Sequence, residues 1–427
     1  ASGPREPPPS EIPALLSAYE VNPGDVETAQ LLAASLVAVD ECEEAADVAG
    51  SVTPTASRSW PVLAEGRCLE AEGALDEAID SYEAYLATYG DGDGAVAVRG
   101  RLLITREQAA VSRVRGVDPT TLGPGGEDVV AVLPLSVIGP DSYGPLGRGL
   151  AAQISSDLLL LDRFTLVERM ELQAIVDELD LARSPYADST TTPTFGRLVQ
   201  AGNLVTGSVQ APVGETVGLR ADVVTSTGEL TQTPARTAPS NQLLLLEKEV
   251  VFEIAALLGY TVSQAERTRI MENGTQNLQA FLAYSEGLEL FDQGLFTAAA
   301  ESFGEAQRID PEFVEARRML EASVGAEATG QGDNSLVQSS SELGEQVEEF
   351  AAGAGDGADA IDGFFTSTIN DVAPTQGELA VGPTTDAPGS GTTGTVGTIL
   401  NPAVPPPTPR RPIRIPVRIR IPGGGAP

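Results

Sequence analysis

The chain has 427 residues, 41% of them hydrophobic, with a formal charge of −35 and no histidine. Without histidine there is no imidazole base, no Ser-His-Asp triad and no His-ligated zinc or haem, and so acidic a balance argues against nucleic acid as a partner. The length suggests two or three domains, while 45 Gly and 31 Pro exceed the ordinary share and assign part of the chain to linker or tail.

The chain opens at Ala1 with no initiator Met. This reads as a mature secreted protein whose signal peptide has been removed, a trimmed fragment being the alternative. Residues 1–9 form a Pro-rich extension. From 10 to 122 the pattern is helical. Ser10 is placed to cap a first helix carrying Ile12, Leu15 and Leu16. Asn22-Pro23-Gly24-Asp25 is a turn, and Asp25 is placed to cap a second helix bearing Leu31, Leu32, Leu36 and Val37. Ala-rich helices continue to Tyr89. Gly90–Gly94 breaks the run, and a further helix covers roughly 95–112.

Residues 65–90, EGRCLEAEGALDEAIDSYEAYLATYG, recur in altered form at 286–311 as EGLELFDQGLFTAAAESFGEAQRIDP. Gly66 pairs with Gly287, Leu69 with Leu290, Gly73 with Gly294, Ala78 with Ala299 and Tyr82 with Phe303. Ala306 and Pro311 follow in the second copy. The pattern resembles the tetratricopeptide (TPR) repeat, an antiparallel helix pair of about 34 residues. Small residues at Gly66/Gly287 and Ala78/Ala299 let two helices approach, and Tyr82/Phe303 fills the space between repeats. Residues 24–57 read as a degenerate copy. One pair cannot bury its own face, so the copy at 275–322 needs a neighbour: the middle domain, the N-terminal repeats or another subunit. Cys42 and Cys68 fall in facing helices of successive repeats. A disulfide and two buried thiols both fit that placement.

Residues 127–268 alternate between strand and helix signals. Asp128–Leu135 is a buried strand, followed by a helix through Leu150, Ile154, Leu158 and Leu161. Phe164–Glu168 is a second strand, followed by a helix bearing Leu172, Ile175 and Leu179. A short helix near 195–201 leads to a strand at 203–209. Thr216–Thr225 alternates Val217, Leu219, Ala221 and Val223 with polar neighbours, and an apolar helix covers about 241–258. This order predicts a mixed sheet covered by helices. The segments AVLPL, FTLVERMELQAIVDEL, AGNLVTGSVQ and LRADVVTSTGEL resemble the CsgG family, which includes the curli secretion channel and has FlgO and the TolB amino-terminal domain as looser relatives. Arg169, Glu178, Gly202 and Gly207 sit where that pattern places them. The resemblance implies a periplasmic or outer-membrane protein that forms rings or other homo-oligomers. It carries no catalytic residue across.

Residues 323–409 have linker composition, with a weak helix at Leu336–Ala352 and a small apolar knot at Ile361–Phe365. The tail 410–427 is different. Arg410, Arg411, Arg414, Arg418 and Arg420 occur there with no acid, whereas all 61 acidic residues lie outside it. Ile413, Ile415, Val417, Ile419 and Ile421 share one face of a strand, while Pro412, Pro416 and Pro422 share the other parity. All the missing N–H donors then lie along one edge, so the strand can pair on one side only. This predicts addition to a sheet edge of another subunit, with Arg spacing and acidic surface setting the register. Folding back onto its own domain and binding a membrane or polyanion are the alternatives.

The predicted fold class is α+β multidomain: helical TPR repeats plus a mixed α/β CsgG-like domain, with extended Pro/Gly-rich tails. No cofactor and no metal centre is expected. Asp91-Gly-Asp93 and Asp356-Gly-Ala-Asp359 offer at most weak calcium ligation, since neither completes an EF-hand loop. No apolar run is long enough for a transmembrane helix. The expected function is non-enzymatic: a secreted bacterial structural protein that self-assembles into an extracellular or envelope filament or tube, its main partner being itself. A ring or secretion accessory associated with the outer membrane is one alternative. A periplasmic TPR adaptor binding another protein is a second.

Overall fold

The computed structural model describes residues 9–118, 121–178, 192–213, 216–330, 336 and 338–353. The chain divides into two units, Ala1–Ala373 and Pro374–Pro427, and every described residue belongs to the first. Six helices come first: α1 (Ile12–Val21), α2 (Val26–Ala38), α3 (Cys42–Gly50), α4 (Trp60–Glu72), α5 (Leu75–Tyr89) and α6 (Ala95–Val114). Ser10 lies in a 3-10 turn rather than capping α1, whose N-cap is Glu11. Asp25 does occupy the α2 N-cap, but its carboxylate accepts from the Thr28 hydroxyl at 2.6 Å instead of from the helix backbone.

The middle of the chain contains β1 (Gly126–Val132), β2 (Ser136–Ile138), α7 (Pro145–Leu159), β3 (Thr165–Leu166), α8 (Arg169–Glu178) and α9 (Thr192–Leu198). These are followed by β4 (Ala201–Val213), β5 (Thr216–Thr225), β6 (Leu230–Gln232), β7 (Arg236–Pro239), α10 (Leu243–Leu257) and α11 (Gln264–Glu272). The strands form one mixed sheet in the order β3-β1-β4-β5-β6, with β2 also on β4 and β7 also on β5. The β1–β3, β1–β4 and β2–β4 pairs are parallel, and β5 runs antiparallel to β4, β6 and β7.

Alternation along the strands divides the core. Val130 and Val132 of β1, Val205 and Val209 of β4, and Val217, Leu219, Ala221 and Val223 of β5 point to one face. There they meet Leu150, Ile154 and Leu158 of α7 and Val250, Val251 and Ile254 of α10. Ala131 and Leu204 point to the other face, against Leu172 and Ile175 of α8, Phe195 of α9, and Ala110 and Val114 of α6. The result is a three-layer arrangement in which the central parallel strands β1 and β4 are buried on both faces.

The last helices are α12 (Leu278–Asp292), α13 (Phe296–Ile309), α14 (Val314–Gly330) and α15 (Ser340–Ala352). They share one hydrophobic core with α2–α6, so Leu32, Trp60, Tyr82 and Leu102 belong to the same cluster as Leu288, Phe303, Phe313 and Leu320. Of the three neighbours open to the C-terminal helix pair, the N-terminal helices and the middle domain both serve. α14 lies on α6, where Gly100 approaches the main chain of Gly325 and Ala326. α12 lies on α7, where Gly149 faces Ser285 and Phe281. α14 runs on to Gly330, past the boundary at 322 read from the sequence, because its Ala- and Gly-rich second half packs against α6. The helix expected within Leu336–Ala352 is α15, which starts at a Ser339–Glu342 capping box and ends at Gly353 with φ +73°.

Candidate functional site

Most of the positions singled out in the repeat comparison are buried or half-buried in the helical core. A side chain at Gly66 would collide with the Tyr82 ring, and one at Gly287 would lie 2.6–2.9 Å from Phe303. Ala78, Tyr82, Ala299, Phe303 and Ala306 are fully buried. Gly73 and Gly294 take φ +81° and +66° directly after α4 and just beyond α12, a conformation that favours glycine. Leu69 and Leu290 are half-buried against the same core, and Pro311 is exposed in the turn before α14. Cys42 of α3 and Cys68 of α4 are disulfide-bonded, with Cα atoms 5.4 Å apart.

A polar cluster sits inside this packing. Glu70 of α4 accepts from Tyr82 Oη at 2.9 Å, from Thr105 Oγ1 at 2.7 Å and from Arg101 Nε at 2.9 Å. Arg101 Nη1 donates onward to the Thr329 carbonyl of α14 at 3.0 Å. Burial alone would raise the Glu70 carboxyl. The Arg101 guanidinium and the two hydroxyl donors outweigh it and hold the group below the ordinary carboxylate value. Burial, then the Glu70 charge, pushes the Tyr82 phenol well above its ordinary value. These groups satisfy one another's hydrogen bonds inside the helical core.

Two further charged clusters join α7 to its neighbours. Asp292 of α12 pairs with Arg148 of α7 at 3.1 Å and with Arg169 at the start of α8 at 2.5 Å. Between α7 and α10, Lys248 Nζ lies 2.7 Å from Asp157 Oδ2 and 3.5 Å from Glu247 Oε2. The sequence reading did not single out this second cluster. Its signal was present, because Lys248 is the only lysine in the chain and stands beside Glu247 in the mainly apolar run LLLLEKEVVFEIAAL.

The far edge of the sheet is built from two short strands. β6 pairs with β5 at Asp222–Val224 and β7 at Thr216–Leu219, so the two short strands share one side of β5. Thr233 spans the break between them: its hydroxyl receives Ala221 N–H at 3.0 Å and donates to the Ala221 carbonyl at 2.7 Å. All three β6 residues are exposed. Among the described residues no strand pairs with the outer side of β6 or β7. Arg236 of β7 is tied to Glu253 of α10, with Nε 2.8 Å from the carboxylate. The Arg/Ile tail at 410–421 lies outside the described residues, as do Ile361–Phe365 and the pair Asp356 and Asp359. Asp91 and Asp93 stand in the loop between α5 and α6. Among the described residues no three His, Cys, Asp or Glu side chains converge in a metal-binding group, and no helix is long and apolar enough to cross a membrane.

Residues 135–212 match the family model described as curli production assembly/transport component CsgG. The match runs from just before β2 to the end of β4, a narrower span than the 127–268 expected from the sequence. No curated protein matches the chain.

Proposed function

We propose that this protein is a non-enzymatic, secretion-associated component of a bacterial cell envelope that works by self-association. The observation that carries this reading is the CsgG match at 135–212, placed on a sheet whose edge at β6 and β7 is open among the described residues. In this reading the α4–α5 and α12–α13 pairs are TPR units that brace the sheet domain. The Gly66–Tyr82 and Gly287–Phe303 approaches support that assignment. The tail 410–421 adds as a strand to a neighbouring subunit, and its five Arg are attracted to an otherwise acidic body. Contacts that do not close on themselves then yield a filament or tube.

The same family match favours a second reading, a closed ring acting as a secretion accessory at the outer membrane. Light scattering and negative-stain microscopy of the full chain and of a chain ending at Thr408 separate the two. Filaments lost on truncation support the polymer, and rings support the accessory. Monomers in both samples would refute self-association.

A further inference from the structure

Lys248 is 5% exposed and Asp157 and Glu247 are completely buried. Lys248 Nζ sits 2.7 Å from Asp157 Oδ2. The other Asp157 oxygen, Oδ1, faces two side-chain amides: Asn273 Nδ2 donates at 2.8 Å and Gln153 Nε2 at 3.3 Å. Glu247 lies beside both partners, with Oε2 3.5 Å from Nζ, yet neither of its carboxyl oxygens has a hydrogen-bond partner. Around them stand Ile154, Leu158, Val250 and Val251 of the apolar core.

Two carboxyls and one amine cannot all be charged in such a place without leaving one buried negative charge uncompensated. Burial raises the Asp157 carboxyl, with Lys248 opposing. Burial and the Asp157 charge together push Glu247 well above its ordinary value. Glu247 is therefore the carboxyl for which the protonated form is most favoured.

We infer that Lys248 and Asp157 condense into an intramolecular isopeptide bond, with Glu247 relaying the proton. In the neutral tautomer of the pair, the Lys248 amine attacks Asp157 Cγ. The N–C bond forms and negative charge develops on Oδ1, where the Asn273 and Gln153 amides already point. Glu247 takes a proton from the attacking nitrogen and delivers one to Oδ2. The Cγ–Oδ2 bond then breaks and water leaves. One amine and one carboxylic acid become one amide and one water, Glu247 is returned unchanged, and no oxidant or co-reactant is needed. Fixing amine and acid in contact, with water excluded, removes the entropic cost that makes such condensations slow in solution. The bond would tie α7 to α10 across a sequence separation of 91 residues, whether or not the chain polymerises.

The test is the mass of the reduced, denatured protein after prolonged incubation of the folded form at neutral pH. The expected value is lower than the sum of the residues by one water. Proteolysis should yield a branched peptide joining the segments around 157 and 248, and an amine-reactive ester should fail to label Lys248 in the unfolded chain. Lys248→Arg, Asp157→Ala and Glu247→Gln should each restore the full mass. Glu247→Gln, which keeps the Lys248–Asp157 contact, is to be checked by circular dichroism for an unaltered fold. A wild-type chain of full mass with Lys248 fully labelled overturns the inference and leaves a buried ion pair. Undiminished water loss in Glu247→Gln overturns the relay.

Discussion

A single methyl group tests whether the two ends of the helical body meet as described. At Gly100 of α6 it would collide with the main chain of Gly325 and Ala326, and at Gly325 with the Val96 carbonyl. Main chain cannot swing aside as a side-chain tip can, so in Gly100→Ala the two helices must part by roughly 1.5 Å to recover van der Waals separation. Overpacking of this kind costs about 1–3 kcal/mol. The shift also pulls Arg101 away from the Thr329 carbonyl, now 3.0 Å distant, and a hydrogen bond from a charged donor is worth about 1.5–3 kcal/mol. Alanine recovers about 1 kcal/mol of helix propensity. The net expectation is a loss of about 1.5–5 kcal/mol, read as a lower urea midpoint with an unchanged m value. Gly50 in α3 is the control: nothing lies within 4 Å of an added Cβ there, and Gly50→Ala should be neutral or stabilising by about 0.5–1 kcal/mol. If Gly100→Ala unfolds at the wild-type midpoint or above it, α6 and α14 do not approach along their glycines, and the shared helical core is wrong.

Glu70→Gln leaves the buried Arg101 guanidinium without its counter-charge and should cost about 3–5 kcal/mol near neutral pH. Because the folded-state carboxyl of Glu70 lies below the ordinary carboxylate value, its contribution is present above that ordinary value and lost as pH falls through the folded one. The stability gap between wild type and Glu70→Gln, measured by urea unfolding from pH 7 downward, should therefore close in acid. A gap that stays constant would refute the assignment. Reducing the Cys42–Cys68 bond, which spans a separation of 26 residues, should lower stability by roughly 3–4 kcal/mol on the chain-entropy account. Thermal melts with and without a thiol reductant check this, and coincident curves would mean that helix packing alone holds α3 against α4.

The most legible elements were those whose own periodicity reports burial. β5 occupies Thr216–Thr225, the bounds read from its alternation of Val217, Leu219, Ala221 and Val223 with polar neighbours, because the face that meets α7 and α10 must be apolar at every second residue. β6 and β7 were missed for the converse reason. They are short and exposed, so nothing in Leu230–Gln232 or Arg236–Pro239 alternates. α11 was missed although Ser263 and Glu266 form its capping box, since the helix beyond buries little and carries no apolar stripe. At the candidate site the repeat comparison found the Gly66–Tyr82 and Gly287–Phe303 approaches, because glycine facing an aromatic leaves a trace at fixed spacing. It could not find the Asp157–Glu247–Lys248 cluster, because Asp157 on α7 stands 90 and 91 residues from the adjacent pair Glu247 and Lys248 on α10.

The sequence alone determined the class of the longer periodic segments: helices on either side, strands and helices alternating between them, and a CsgG-type pattern in that middle. These properties follow from local sterics and one-faced burial, which act over a few residues. Only the tertiary structure decided that the sheet runs β3-β1-β4-β5-β6, that α14 docks on α6 through Gly100 and Gly325, and that the one lysine is buried between two acids. Those outcomes depend on which distant surfaces fit together. Such fit is a property of shapes in three dimensions and leaves no period in the chain.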